Sequence, residues 1–234
     1  MNMFEGKRIL VVVAHPDDEL LGQGATIHRL VREGSVCKAV ILGEGITSRS
    51  DVRDVSKWEK ELERHHNNME SARKCIGYQE IEAYDFSDNR FDSHDLLDIV
   101  KVIEKEKDLF KPDFIFTHHG GDVNIDHQIT FQAVITATRP MSDEMVKGVI
   151  TFETPSTTEW QSANSPFRFT PNLFVSLTEE DVLAKIKGME CYEYESRKWP
   201  HPRSSEALMT LAKCRGFQMG VDYAEAFMIS RLVY

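Results

Sequence analysis

Apolar residues fall along this chain in short dense runs separated by longer amphipathic stretches. Residues 7 to 14, KRILVVVA, show no polar alternation after Arg8, as expected of a strand buried on both faces. ELLGQGATIHRLVREG (19 to 34) then places Leu20, Ala25, Ile27, Leu30 and Val31 at helical spacing and stops at Gly34, predicting one helix. VCKAVIL reads as a second strand, ending in the glycine-bearing loop GEGITSRS. A polar helix at about 55 to 76 leads to a short strand, IEAYDF, then to the helix HDLLDIVKVIEKEKDLF and the strand DFIFTHH. Strand and helix alternate, which predicts βαβ units: an α/β fold with a mainly parallel sheet flanked by helices.

Beyond residue 126 come a helix (HQITFQAVITAT), strands near GVITFE and NLFVSL, and two helices after Leu177. With no repeat, low-complexity tract or linker, one domain over residues 1 to 234 is expected. TPSTTEWQSANSPFRFTPN is loop-like, but Trp160, Phe167 and Phe169 mark it as packed or substrate-covering. The apolar C-terminal FMISRLVY suits either the core or the interface of a homo-oligomer.

Composition narrows the classes. The chain has 234 residues, 41% hydrophobic and 28% charged, ordinary for a folded globular protein. Its net charge of -10 argues against a nucleic-acid partner, whose affinity rests on phosphate neutralisation. Four cysteines, Cys37, Cys75, Cys191 and Cys214, show no CxxC spacing and read as reduced thiols of a cytoplasmic protein. MNMFEGKRIL has no apolar h-region, and no run reaches the roughly 18 apolar residues of a membrane span.

The ionisable residues gather after the predicted strands, where open parallel sheets bind ligands. AHPDDE follows the first strand, GEGITSR the second and THHGGDVNIDH the fourth. His15 and Asp18 are three residues apart on a turn fixed by Pro16, and His127 can complete the set from the opposite side. Two imidazoles and one carboxylate, with a position left for water, match a catalytic zinc site; Fe2+ or another divalent ion suits the same donors. Asp17 is then the candidate base, and Asp126 can orient an imidazole. The competing structural reading is that Asp17, Asp18 and Glu19 only cap a helix and complement its dipole.

AHPDDE with NIDH downstream of a T-H-H-G-G-D loop resembles the PIG-L (LmbE-like) family of zinc-dependent N-deacetylases, as do FSDNRFD, the TEW loop and the late HPRS segment. The resemblance implies a Rossmann-like fold, a metal on His15, Asp18 and His127, Asp17 as general base, and an N-acetylglucosamine-type sugar or conjugate as substrate. It also implies amide hydrolysis to acetate and a free amine. Many members carry His-Pro-Asp-His where this chain has Asn124, Ile125, Asp126 and His127. Asn124 can donate a hydrogen bond to an oxyanion but cannot act as an acid, so Asp17 is expected to return the proton to the amine.

Candidate substrate residues are Arg49 after the second strand, Asp88 and Arg90 after the third, and one of His118 and His119 after the fourth. Trp160 can stack on a sugar, and Arg203 lies in the HPRS segment with His201; each, with Glu159, also reads as packing or capping. His65, His66 and His94 read as solvent-facing or already hydrogen-bonded. The helix over 58 to 77 lacks the R-x-x-E pattern of relatives, with His66 and Met69 near those positions. Two other functions compete. A hydratase or lyase acting on a small carboxylated substrate would use the same metal and carboxylate. A non-catalytic nucleotide-binding module is disfavoured, because carboxylates replace the GxGxxG turn.

Overall fold

Residues 3 to 233 are described by the computed structural model. The strands are β1 (Arg8–Val13), β2 (Val36–Gly43), β3 (Glu80–Phe86), β4 (Phe114–His118), β5 (Gly148–Phe152), β6 (Leu173–Leu177) and β7 (Tyr223–Leu232). They form one sheet in the order β3-β2-β1-β4-β5-β7-β6. The first five pair in parallel, and β7 runs antiparallel to both β5 and β6.

The period of two along β1 divides its side chains between two cores. Ile9, Val11 and Val13 join one, while Leu10, Val12 and Ala14 join the other. On the first face lie α1 (Asp18–Leu21), α2 (Gly24–Arg32), α3 (Glu59–Ile76), α6 (Glu179–Glu190) and α7 (Ser205–Met219). On the second lie α4 (Leu96–Phe110) and α5 (Ile125–Ala137). Both faces of the strand are covered, which is why its sequence is uniformly apolar. Leu10→Ala, at a fully buried position, is expected to cost about 2–5 kcal/mol.

The helix expected over 19 to 34 is broken into α1 and α2 at Gly22 and Gln23. Gly22 packs flat against Phe152, where a Cβ would lie 2.1 Å from the ring. The break lets α2 start anew, and the buried Glu225 carboxylate accepts from the N–H groups of Ala25 and Thr26 at its positive end. The C-terminal apolar run enters the sheet as β7, so that Phe227 and Ile229 face the core.

β1 is the point at which the strand order reverses. The chain first moves from β1 to β2 and β3, then returns to lay β4 on the other side of β1. The loops leaving β1 and β4 therefore part from one another, and a crevice opens at their carboxyl ends.

Candidate active site

The loop after β1 brings acidic groups into the interior under unusual backbone conditions. Asp17 has φ 103°, a left-handed conformation that non-glycine residues rarely adopt. Its N–H donates to Glu19 Oε2 at 2.9 Å, and its carbonyl accepts from Leu20 and Leu21. Glu19 is itself fully buried and held by the Tyr192 hydroxyl at 2.6 Å. Burial pushes Glu19 up to about 7, against the pull of that hydrogen bond. The Glu19 network thus overdetermines the Asp17 turn, and the cluster does more than cap α1, whose N-cap makes no side-chain hydrogen bond.

Asp18 Oδ2 lies 3.3 Å from both His15 Nδ1 and His127 Nε2. The other nitrogen of each imidazole faces a carboxylate. His15 Nε2 is 2.9 Å from Asp126 Oδ2, and Asp126 Oδ1 accepts from the Phe91 N–H. His127 Nδ1 is 3.2 Å from Asp122 Oδ1, close but poorly aligned for a hydrogen bond. These partners leave the lone pairs of His15 Nδ1 and His127 Nε2 converging on Asp18. Two imidazoles and a carboxylate, each imidazole backed by a second carboxylate, are a donor set that fits a divalent ion. An alternative grouping of His15, Asp88 and Asp126 would need the nitrogen that His15 already gives to Asp126.

His118 is not a fourth ligand although its Nε2 is 3.4 Å from Asp18. That nitrogen accepts the Ala14 N–H at 3.0 Å, and Nδ1 faces the Thr154 hydroxyl. Burial, together with His127 stacked at 3.8 Å, pushes His118 down to about 4 and keeps it neutral. It supports the His127 ring instead of lining the cleft. His119 Nε2 donates to Phe167 O at 3.0 Å, tying the residue 155 to 170 loop down. Gly121 permits that approach, since a Cβ there would meet Phe167 O at 1.9 Å.

Asp17 Oδ2 receives Arg203 Nη1 at 2.7 Å. Burial holds the Asp17 carboxyl well above its usual range; Arg203 opposes this, and Asp18, Glu195 and Glu19 add to it. Arg49, Asp88, Asn124 and Arg203 all line the same cleft as His15 and His127. Asn124 caps α5, accepting from the Asp126 N–H at 2.8 Å, and gives its Nδ2 to Asn89. Two candidates sit elsewhere. Arg90 is exposed and, among the described residues, supplies only backbone bonds to its loop. Trp160 is 59% exposed and meets His201 edge-on outside the cleft.

Three participants escaped the sequence reading. Asp122 lay within THHGGDVNIDH without a role. Glu195 bridges Arg49 and Arg203 from a polar loop that carried no motif. His65 was expected to be solvent-facing or satisfied, yet it is buried, lines the cleft and has neither ring nitrogen hydrogen-bonded among the described residues. The cause is its register: 65, 69, 72 and 76 form the inward stripe of α3, whereas His66 points outward. His94 is hydrogen-bonded to Ser87, as expected.

The sequence model of the PIG-L family, GlcNAc-PI de-N-acetylase, matches residues 10 to 138, more than half of the chain. The chain belongs to this family. The PIG-L chain is 28% identical to the uncharacterized deacetylase YaiS of Escherichia coli over 191 residues, 79% of this chain and 89% of that one. It is 27% identical to the diacetylchitobiose deacetylase of Thermococcus kodakarensis over 230 residues, 94% of this chain and 81% of that one. Among solved structures, the N,N'-diacetylchitobiose deacetylase from Pyrococcus horikoshii aligns with a TM-score of 0.70 at 19% identity, covering 96% of this chain and 84% of that one. The zinc-inhibited form of teicoplanin deacetylase Orf2 aligns at 0.75 and 17%, covering 95% and 97%. GalB, a 4-carboxy-2-hydroxymuconate hydratase from Pseudomonas putida, aligns at 0.74 and 19%, covering 96% of each chain. At such identities the structures establish the shared LmbE-like fold. The expected PIG-L membership and an enzyme of the deacetylase kind both hold. No helix among the described residues is long and apolar enough to cross a membrane.

Proposed function

We propose that this PIG-L chain is a metal-dependent hydrolase that removes the acetyl group from the amide nitrogen of an N-acetylglucosamine-type sugar or sugar conjugate. The observation that carries this reading is the convergence of His15 Nδ1, His127 Nε2 and Asp18 Oδ2 beside the buried carboxylate of Asp17. A divalent ion on those donors, Zn2+ or Fe2+, supplies Lewis acidity toward the acetyl carbonyl and makes water more acidic.

The chain's own groups do the rest. Asp126 and Asp122 orient the two imidazoles from behind. Asp17, fixed by Glu19 and Arg203, takes a proton from the attacking water and returns it to the departing amine. Burial raises that carboxyl above the usual carboxylate range, against the pull of Arg203. Asn124 offers Nδ2 as a hydrogen-bond donor for the developing oxyanion, but no proton. Two deacetylases named for diacetylchitobiose among the relatives support an N-acetylated sugar as the substrate class. A cytoplasmic place of action, expected from the sequence, belongs to the same proposal.

The hydratase of similar fold means that architecture alone does not choose the reaction. Incubation with di-N-acetylchitobiose is expected to release acetate and free amine in equal amounts, and Asp17→Asn to stop it. Hydration of an unsaturated carboxylic acid, with no acetate from any N-acetyl sugar, would assign the hydratase reaction instead.

A further inference from the structure

Cys75 and Cys191 take no part in the cleft, yet the fold sets them face to face. Cys75 lies in the last turn of α3, and Cys191 caps the C-terminal end of α6. The two helices pack directly on one another. Gly188, one turn before Cys191, lets them approach closely: a Cβ built there would stand 3.7 Å from Cys75 Cβ. The Cys191 thiol donates to Lys187 O at 3.4 Å and lies within hydrogen-bonding reach of the Cys75 thiol. Both cysteines are partly exposed, so a small reagent can reach them. The other two are placed differently. Cys37 is fully buried in β2, where burial pushes its thiol up to about 12, and Cys214 lies on α7 in a pocket it shares with Glu153 and Trp199.

The chain that leaves Cys191 serves the cleft from outside any helix or strand. Tyr192 holds Glu19 through its hydroxyl, and Glu195 receives Arg49 and Arg203. Its backbone is tied by short-range bonds: the Tyr192 N–H donates to Met189 O, and the N–H groups of Glu195 and Ser196 donate to Tyr192 O. Such a turn opens more easily than a helix or a central strand. An anchor at Cys191 would restrain it where it begins, and a bridge from there to Cys75 would also close a long loop in the unfolded chain.

We propose that Cys75 and Cys191 form a thiol–disulfide exchange site, at which a low-molecular-weight disulfide converts the pair to an intramolecular bridge that ties α3 to α6 at the start of the 192 to 195 segment. The thiolate of one cysteine attacks the reagent disulfide, forming a mixed disulfide and releasing one reagent thiolate. The second cysteine then attacks the mixed disulfide, forming the bond between Cys75 and Cys191 and releasing the other. The two protons of the protein thiols end on the two released thiols, and the two electrons lost by the pair reduce the reagent. Because the second thiol is already in place, the bridge forms before a second reagent molecule is captured. Burial and the neighbouring Cys75 push the Cys191 thiol up, so the exchange quickens above neutral pH. Under reducing conditions the pair stays as two thiols. The proposal does not depend on the metal or on the reaction in the cleft.

The test treats the reduced wild-type protein with excess glutathione disulfide at about pH 8, alkylates the remaining thiols after denaturation, and maps the peptides by mass spectrometry. A peptide pair linked through Cys75 and Cys191 is expected, with Cys37 and Cys214 alkylated. The Tm is expected to rise by about 4–10 °C over that of the reduced protein. The Glu195 and Ser196 amides are expected to exchange hydrogen about tenfold more slowly, and a dithiol reductant to reverse both changes. Cys191→Ser is expected to take up glutathione on Cys75 and to show no rise in Tm. Separate glutathione adducts on the two cysteines of the wild type, a bridge to Cys37 or Cys214, or a pair left unreacted would overturn the site. A bridge between Cys75 and Cys191 that leaves both Tm and amide exchange unchanged would overturn the tie between the helices. The wild-type measurements depend on no variant folding.

Discussion

The floor of the cleft and its outer wall hold charge in different ways. The floor, His15, Asp18 and His127, comes from the turn into α1 after β1 and the first turn of α5 after β4, neighbouring strands at the centre of the sheet. Its carboxylates are matched to imidazoles and backbone N–H groups within a few ångströms. The outer wall is gathered from the loop after β2, from α3 and from the segment between α6 and α7. There Arg49, Glu195 and Arg203 settle one another by ion pairs, and neither ring nitrogen of His65 is hydrogen-bonded among the described residues. Sheet topology gathers the floor, whereas packing between distant segments gathers the outer wall.

The largest effect should come from the floor. Asp18→Ala or His127→Ala is expected to remove the bound metal and lower acetate release by about 10⁴-fold, measured by metal analysis and initial rates. Asp17→Asn should lower kcat by about 10²- to 10⁴-fold while metal content stays that of the wild type. Loss of metal in that variant would make Asp17 a ligand and not a base. Behind the ligands, Asp126→Asn and Asp122→Asn are each expected to weaken metal binding about 10- to 100-fold in chelator competition. An unchanged affinity in both would separate the two carboxylates from the floor.

Smaller effects sharpen the contrast. Asn124→Ala loses the cap of α5 and should cost about 1 kcal/mol in denaturant unfolding. A loss of kcat beyond that of the folded fraction would measure its donor role. On the outer wall, His65 has a folded pKa of about 4, below the roughly 6.5 of an unfolded histidine. The unfolded chain therefore binds more protons as the pH falls, so stability is full above about pH 6.5 and is lost on acidification toward about 4. His65→Phe should show a shallower fall in Tm over that interval, and an identical slope would mean that His65 titrates normally in the folded protein.

Much of the floor was legible from the sequence because it is local. His15, Asp17 and Asp18 share one turn, and the alternation of strands and helices carries them to the same end of the sheet as His127. The parallel strands and the alternating helices could be read for the same reason, since period-two and helical patterns are local. The break at Gly22 could not, because it depends on Phe152, more than a hundred residues away. Glu195 offers no local signal either, since its meaning comes only from Arg49 and Arg203. His65 did leave a signal, its place on the 65, 69, 72, 76 stripe, but charged neighbours in LERHHNN obscured it. Arg90 and Trp160 follow the right strands yet face away, because position after a strand fixes a neighbourhood and not a side-chain direction.

The measurement that tests the central claim most directly is the divalent metal content of the purified protein beside that of His127→Ala. The account predicts about one ion per wild-type chain, removable by chelation, and almost none in the variant. A wild type that takes up no divalent ion, or a variant that holds it as tightly, would contradict the assignment of His15, Asp18 and His127.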